Sequence, residues 1–416
     1  MKRRTVLATV GTGWCSLAGC LRGDQGTSDP DLEIIADVGG YIDTIAEDTL
    51  FLNEDFERGD GRLIALDIDS DEIKWRFGGT DDHRSYTSVT VDDGIYFGMQ
   101  SGQIVGGNGE LYALEFDGSE RWRDTSLGSV HQTAYTDGVV YARSTPGVEQ
   151  VVQAFDATDG EELWITETPG DPEVEEPDEP AVSRYLITVT DLVYILQDEE
   201  LMALDRSNGE IRWRYGDPAA SIGPLEVHDE VVYVIEENTI AAVSGDDGTE
   251  LWTQVVDRGL PSVHSSVGTD RLFVLTLSDD TDGNRGRNYY TFDLKTGDKL
   301  WETRFDGSGS MKHIEDRVYD TGEGLLRALD ATDGSKLWTA DISGRVQSIE
   351  ITETGSTEEL LIKDSGDHLH KVTTDGEVTG SKSIPELRSL AVNGSAYVSD
   401  RDRVYRLDLD SWNQED

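Results

Sequence analysis

Cysteine is nearly absent from this chain: there are two in 416 residues, Cys15 and Cys20, both within the first twenty positions. That excludes a disulfide framework from everything downstream, together with the paired-cysteine sites that hold zinc. Lysine is scarce as well. Nine lysines leave 26 arginines among 35 basic residues, set against 84 acidic ones, for a formal charge of −49. No basic stripe exists to neutralise phosphates, so nucleic acid is excluded as a partner. The one apolar stretch near the start, 5–18, is too short to span a bilayer. Nucleophile-elbow, phosphate-loop and zincin motifs are missing too, as no G-x-S-x-G, GKS, GKT or H-E-x-x-H occurs. The acid is spread along the chain rather than gathered in a tail. Regular apolar strands and nine tryptophans argue against disorder. Dispersed acid with little lysine points instead to a protein of concentrated salt, from a halophile and most simply an archaeon. At ~1 M salt the Debye length is about 3 Å and carboxylates no longer repel across the surface.

The first residues read as an address. Lys2, Arg3 and Arg4 precede the mildly apolar stretch, and small residues follow it, which is the order of a signal peptide over 1–19. Arg3-Arg4-Thr5-Val6-Leu7 resembles a twin-arginine export motif, and Leu17-Ala18-Gly19-Cys20 resembles a lipobox. Cleavage before Cys20 would leave it as the lipidated first residue and take the formal charge from −49 to −52, since Lys2, Arg3 and Arg4 go with the leader. Polar residues to position 31, with Gly, Ser and Pro, form a tether over 20–31. The folded domain is expected over 32–416.

Internal repetition governs that domain. One unit reads Leu201-Met202-Ala203-Leu204-Asp205 and closes through Gly209 on Trp213; another reads Leu326-Arg327-Ala328-Leu329-Asp330 and closes through Gly334 on Trp338. Copies also end at Trp75, Trp122, Trp164, Trp252 and Trp301, so the seven tryptophans are 47, 42, 49, 39, 49 and 37 residues apart. Each copy is a hairpin by local chemistry, with aspartate to cap the turn and glycine for its positive φ. Upstream lie two more strands per copy, such as 138–141 and 130–134. Four strands in roughly 44 residues make the blade of an all-β propeller.

The Ala-Leu-Asp…Gly…Leu-Trp pattern resembles the repeat of the PQQ-like (pyrroloquinoline-quinone) propeller family, found in quinoprotein dehydrogenases and in an outer-membrane assembly factor. The resemblance covers nearly all of 32–412. It implies that each tryptophan docks on the neighbouring blade while an alanine gives it room: Ala65 with Trp75, Ala113 with Trp122, Ala154 with Trp164, Ala203 with Trp213, Ala242 with Trp252 and Ala328 with Trp338, with Thr291 in the alanine's place before Trp301. Counting is harder. A degenerate hairpin at 369–380 lacks its tryptophan, and a ninth unit begins at 396 without an outer strand. The tally is nine and the family habit eight. The reading settles on a ring of eight, with nine as the alternative, closed by the N-terminal strand 35–42 completing the last blade.

Site chemistry is sparse. The quinoprotein dehydrogenases use a vicinal cysteine pair and calcium ligands, and no such pair is present; no PQQ, other cofactor or metal is expected. His368 and His370 alternate on one strand without a visible third ligand. Asp67, Asp69 and Asp71 have calcium-loop spacing but lack its glycine and its bidentate carboxylate, as expected of a solvated turn. The acidic cluster 279–282 reads as a solvated loop, and the proline-rich acidic segment 169–180 as a projecting insertion. Asn393-Gly394-Ser395 is a glycosylation sequon. Aligned by repeat phase, Asp43, Thr87, His131, His264, His313, Gln347 and Arg388 fall on the innermost strands and form a polar ring at the channel mouth. The expected function is a non-catalytic, monomeric, membrane-anchored scaffold on the outer face of the cell membrane, binding a protein segment. The alternatives are a glycan- or solute-binding surface protein and a degenerate quinoprotein enzyme. An outer-membrane assembly role would not transfer to an archaeon, which lacks that membrane.

Overall fold

An aspartate and a glycine set the hairpin turn in several units. The Asp156 carboxylate accepts the amide of Thr158 at 2.8 Å, and its backbone carbonyl accepts the amide of Gly160 at 2.9 Å. Gly160 lies at φ +73°, where any side chain would be strained. The same carbonyl-to-glycine bond recurs from Gly209, Gly248, Gly297 and Gly334, so local chemistry fixes how the last two strands of each unit pair.

The computed structural model describes residues 31–54, 62–78, 85–86, 89–101, 108–145, 150–168, 186–197, 200–216, 226–236, 238–256, 260–279, 285–307, 309–354, 357–409 and 412. Residues 31–416 belong to one compact unit. Cys20, Thr87 and the insertion 169–180 lie outside the described residues.

The described strands are antiparallel and fall into units of four in chain order, with two short strands, Ser85–Tyr86 and Thr90–Val91, sharing the innermost place in unit 2. Units 1 to 6 span 40–78, 85–124, 129–168, 186–215, 226–255 and 260–306. Units 7 and 8, over 310–341 and 346–383, share a six-stranded sheet because the strands Arg317–Asp330 and Lys336–Thr354 run through without a break. Unit 9 takes three strands from 389–407 and its fourth from Leu32–Ala36, which pairs antiparallel with Val404–Leu407. The described residues thus form eight hydrogen-bonded sheets, described as nine units because one sheet holds units 7 and 8. Unit 8 keeps four strands without its tryptophan, and unit 9 is assembled from both chain ends.

Burial follows position within a unit. In unit 3 the strands Val139–Thr145 and Gln150–Asp156 are buried on both faces, because a neighbouring sheet covers each side. The outermost strand of unit 1, Glu72–Gly78, alternates exposed and half-buried residues. Nine apolar clusters lie between units. Eight join each unit to its successor. In the ninth, Ile35, Ala36, Tyr397 and Val404 of unit 9 pack with Leu50, Leu52, Ile64 and Leu66 of unit 1.

Seven joints share one polar contact. Each repeat tryptophan donates its indole N–H to a backbone carbonyl in the next unit's turn, at 2.7–3.0 Å: Trp75 to Phe116, Trp122 to Ala157, Trp164 to Arg206, Trp213 to Gly245, Trp252 to Leu294, Trp301 to Ala331 and Trp338 to Thr374. The ring lies on that turn's glycine. A Cβ on Gly160 would stand 2.6 Å from Trp122, and Gly118, Gly209, Gly248, Gly297, Gly334 and Gly376 meet their tryptophans as closely. A register shift opposite or beside the tryptophan recurs in units 1 to 7, as between Ala65 and Leu66 opposite Trp75, and re-aims the indole out of its sheet.

Candidate functional site

The two remaining joints are built differently. In unit 8, Lys371 and Gly380 pair where six other units pair alanine with tryptophan. Trp412, 1% exposed, lies on Gly380 and fills the missing indole's space, with the Lys371 and Lys382 ammonium groups 6.0 and 5.8 Å from its ring. Lys371 also donates to the Leu409 carbonyl at 3.0 Å, and Lys382 to Asp31 at 2.7 Å.

Between units 9 and 1, Arg406 pairs with Glu33 in the alanine and tryptophan positions. Asp71 replaces the turn glycine and holds its φ of +60°. Arg406 donates to the Ile68 carbonyl, the position that accepts an indole N–H elsewhere, to Asp71 at 2.5 and 3.2 Å, and to Glu33 at 3.0 Å. A charged cross-link thus stands where seven joints have an indole on glycine. Polar bonds reinforce it: Ile42 N–H donates to Ser389 Oγ at 2.7 Å, Ser399 Oγ to the Gly40 carbonyl at 2.7 Å, and Asn393 Nδ2 to the Glu47 carbonyl at 3.1 Å. Asn393 is exposed, and its amide serves this joint. Aligning the repeats column by column marks Arg406 and Asp71 as departures in adjacent units, which is the signal that could have exposed the exchange.

On the innermost strands, Asp43, His131 and Gln347 occupy the same feature. Each sits where its strand slips register against the next, between Ile42 and Thr44, Val130 and Gln132, and Val346 and Ser348. A bulge leaves such a residue out of the ladder and turns its side chain. Asp43 accepts the Val89 amide of unit 2 at 2.6 Å; burial pushes its carboxyl up and that amide holds it partly back. His131 shares a 2.8 Å bond with Thr145 Oγ1, and burial, then the Arg143 charge, pulls its imidazole below the usual range. Gln347 accepts from Lys363.

His313 lies in Ser310–Ile314, its ring 4.1 Å from that of Phe273 in unit 6. Its Nε2 must donate to the Glu315 carbonyl at 2.9 Å, which can only accept, and burial lowers its pKa against that bond. His264 lies on Leu260–Val267, paired with Leu275. Arg388 precedes the first strand of unit 9, its guanidinium 5.1 Å from the half-exposed Tyr41 ring of unit 1. Each of Asp43, His131, His313, Gln347 and Arg388 is tied to a local partner, three of them across a joint.

Of the aspartates of the first turn, Asp67 acts as the cap. Asp67 accepts the amides of Asp69 and Ser70 at 3.1 and 2.8 Å, bonds that hold its carboxyl down to about 2. Residues 280–282 of the later acidic cluster lie outside the described residues. The histidine pair gains a third group: Asp364 is 3.4 Å from His368 Nδ1 and 3.1 Å from His370 Nε2. Among the described residues no group of three or more such side chains has the geometry to hold a metal ion. Buried charge is met elsewhere by direct pairing, as where Asp320 accepts from Arg287 at 2.6 and 3.1 Å, from Arg327 at 2.5 Å and from Tyr289 between units 6 and 7.

Four-stranded units joined by an indole laid on the next turn's glycine define a β-propeller of the PQQ-like type. A family model described as outer membrane protein assembly factor BamB matches residues 59–221, 187–276 and 236–411, and the chain belongs to that family. BamB of Yersinia pestis is 24% identical over 277 residues, 62% of this chain and 66% of that protein. The serine/threonine-protein kinase AfsK of Streptomyces coelicolor is 30% identical over 158 residues, 36% of this chain, which spans only 18% of the kinase. Among solved structures, BamB from Moraxella catarrhalis superposes with a TM-score of 0.53 at 17% identity, covering 78% of this chain and 98% of its own. A quinohemoprotein alcohol dehydrogenase from Pseudomonas putida HK5 does so at 0.50 and 13%, covering 81% and 73%. Both share the fold.

Proposed function

We propose that this chain is an exported, lipid-anchored propeller that holds a protein partner at the outer face of a halophile's cell membrane, without catalysis of its own in that role. The observation that carries the reading is membership of the BamB family across 59–411, whose named member is an assembly factor. The nine units then form one closed ring. The cluster and the Arg406 cross-link between units 9 and 1 support closure, because no sheet face is left open there. Such a ring is rigid and presents loops and innermost strands at fixed spacing, which suits docking of an extended segment. The leader supplies the address through Cys20. The partner-binding face is the innermost-strand surface carrying Asp43, His131, His264, His313 and Gln347, with Arg388 just ahead of its strand.

Two substitutions test the parts separately. Cys20→Ala should move the protein from membranes to the medium; retention in membranes contradicts the anchor. The pair His131→Ala and Arg388→Ala, in protein purified with its partner from membranes in molar salt, should abolish co-purification while the variant still unfolds cooperatively. Undiminished capture contradicts the assigned face.

A further inference from the structure

On the face of unit 8 that packs toward unit 7, three side chains from three strands stand in line. Ser381 Oγ is 3.1 Å from His370 Nδ1, and His370 Nε2 is 3.1 Å from Asp364 Oδ2. Asp364 and His370 are buried, at 0% and 3% exposed, and Ser381 is exposed on the strand that ends its sheet. The directions of the bonds follow from chemistry. Burial raises the Asp364 pKa, but bonds from His370, the His368 amide, Ser343 and the Gly366 amide outweigh it and hold the carboxyl well below the usual range. An ionised carboxylate only accepts, so His370 Nε2 carries its proton and donates it. In the neutral imidazole Nδ1 is then the lone-pair nitrogen, and the Ser381 hydroxyl donates to it. The lone pairs of Ser381 Oγ are left facing solvent.

The backbone completes the arrangement. Ile384 N–H donates to the Asp367 carbonyl at 2.8 Å, and pairing continues through His368 with Ser383, Leu369 with Lys382 and His370 with Ser381. Hydrogen-bonded and non-hydrogen-bonded pairs alternate along an antiparallel ladder. His370 and Ser381 are therefore a non-hydrogen-bonded pair, which brings their side chains close and turns the Ser381 N–H outward, away from the histidine's strand.

We propose that Ser381, His370 and Asp364 form a nucleophilic serine site that transfers the acyl group of small activated esters to water. Ser381 Oγ attacks the ester carbonyl carbon while its proton passes to His370 Nδ1. Asp364 offsets the imidazolium charge through Nε2–H, and the outward Ser381 N–H donates to the carbonyl oxygen as it becomes an oxyanion. Collapse breaks the bond to the leaving alkoxide, which takes the proton from His370. Water then attacks the acyl-serine, gives a proton to His370 and releases the carboxylic acid, restoring Ser381. An exposed serine with one amide donor favours short acyl groups and good leaving groups. The site goes beyond the scaffold reading, and neither depends on the other.

Ser383 provides an internal control, being exposed on the same strand and face but opposite His368. The full chain, kept folded in molar salt, is treated with a fluorophosphonate probe, and its modified peptides are identified by mass spectrometry; p-nitrophenyl acetate hydrolysis is followed in parallel. Ser381 should be modified at least about tenfold faster than Ser383. Ser381→Ala, an exposed change that leaves the fold intact, should abolish both modification at that site and ester hydrolysis, and His370→Gln should lower both at least about tenfold. Modification of Ser381 no faster than of Ser383 overturns the proposal without any variant. So does hydrolysis that survives Ser381→Ala.

Discussion

Gly160 and Trp122 meet where a single methyl group decides whether units 2 and 3 can touch. The added Cβ of Gly160→Ala would stand 2.6 Å from the indole, at a φ of +73°. The substitution should cost roughly 1–3 kcal/mol in urea unfolding in molar salt; a loss within about 0.5 kcal/mol would contradict the assigned joint. Histidine chemistry gives a pH prediction. Burial lowers His131 and His313 from the ordinary 6.5, so the unfolded chain takes up protons first as pH falls. Their contribution to stability is whole above about 6.5 and is lost as pH falls through their lowered folded values. The thermal midpoint should fall between about pH 7.5 and 5, and His131→Gln should flatten part of that slope. An unchanged slope in the variant would assign the pH dependence to other groups.

At the scale of the strand and the joint, repetition made most of the fold legible. Trp75 to Trp338 marked seven units, and Asp–Gly turns marked their hairpins. Units 8 and 9 were harder to read because their joints are compensated across sequence-distant pieces: Trp412 serves Gly380, and Arg406 serves Asp71 and Glu33. Repeat phase grouped Asp43, His131 and Gln347, whose common bulge is visible only in the strand register, with Arg388, which precedes its strand. The relay of Asp364, His370 and Ser381 carries no motif, since its assembly depends on strand register. Two changes probe these joints. A chain ended after Leu409 loses the buried Trp412 ring and should be destabilised by about 3–5 kcal/mol by denaturant unfolding. Arg406→Ala should cost about 1–3 kcal/mol and, in hydrogen exchange, deprotect 32–36 before the other strands. Adding Glu33→Trp and Asp71→Gly to it should recover that protection by restoring the indole-on-glycine joint. Uniform deprotection would contradict a distinct joint there.

Across the whole molecule, charge sets the conditions under which these joints hold. The formal charge is −49, and many of the salt bridges among the described residues set a half-buried basic group against an exposed carboxylate, as Arg206 with Asp137 and Arg403 with Asp37. In dilute buffer the excess carboxylates repel one another through the folded state. Circular dichroism should therefore show cooperative unfolding as salt is lowered from about 1 M to about 10 mM, where the Debye length grows from about 3 to 30 Å. A melting temperature unchanged in millimolar salt would contradict the high-salt reading. Every surface assigned above rests on nine units meeting end to end, and a crystal structure of the mature chain grown from molar salt tests that directly. It should show nine blades around one ring, units 7 and 8 continuous through 317–330 and 336–354, with residues 32–36 hydrogen-bonded to 404–407 and Arg406 on Asp71. Eight blades, or a free edge at 404–407, would contradict it.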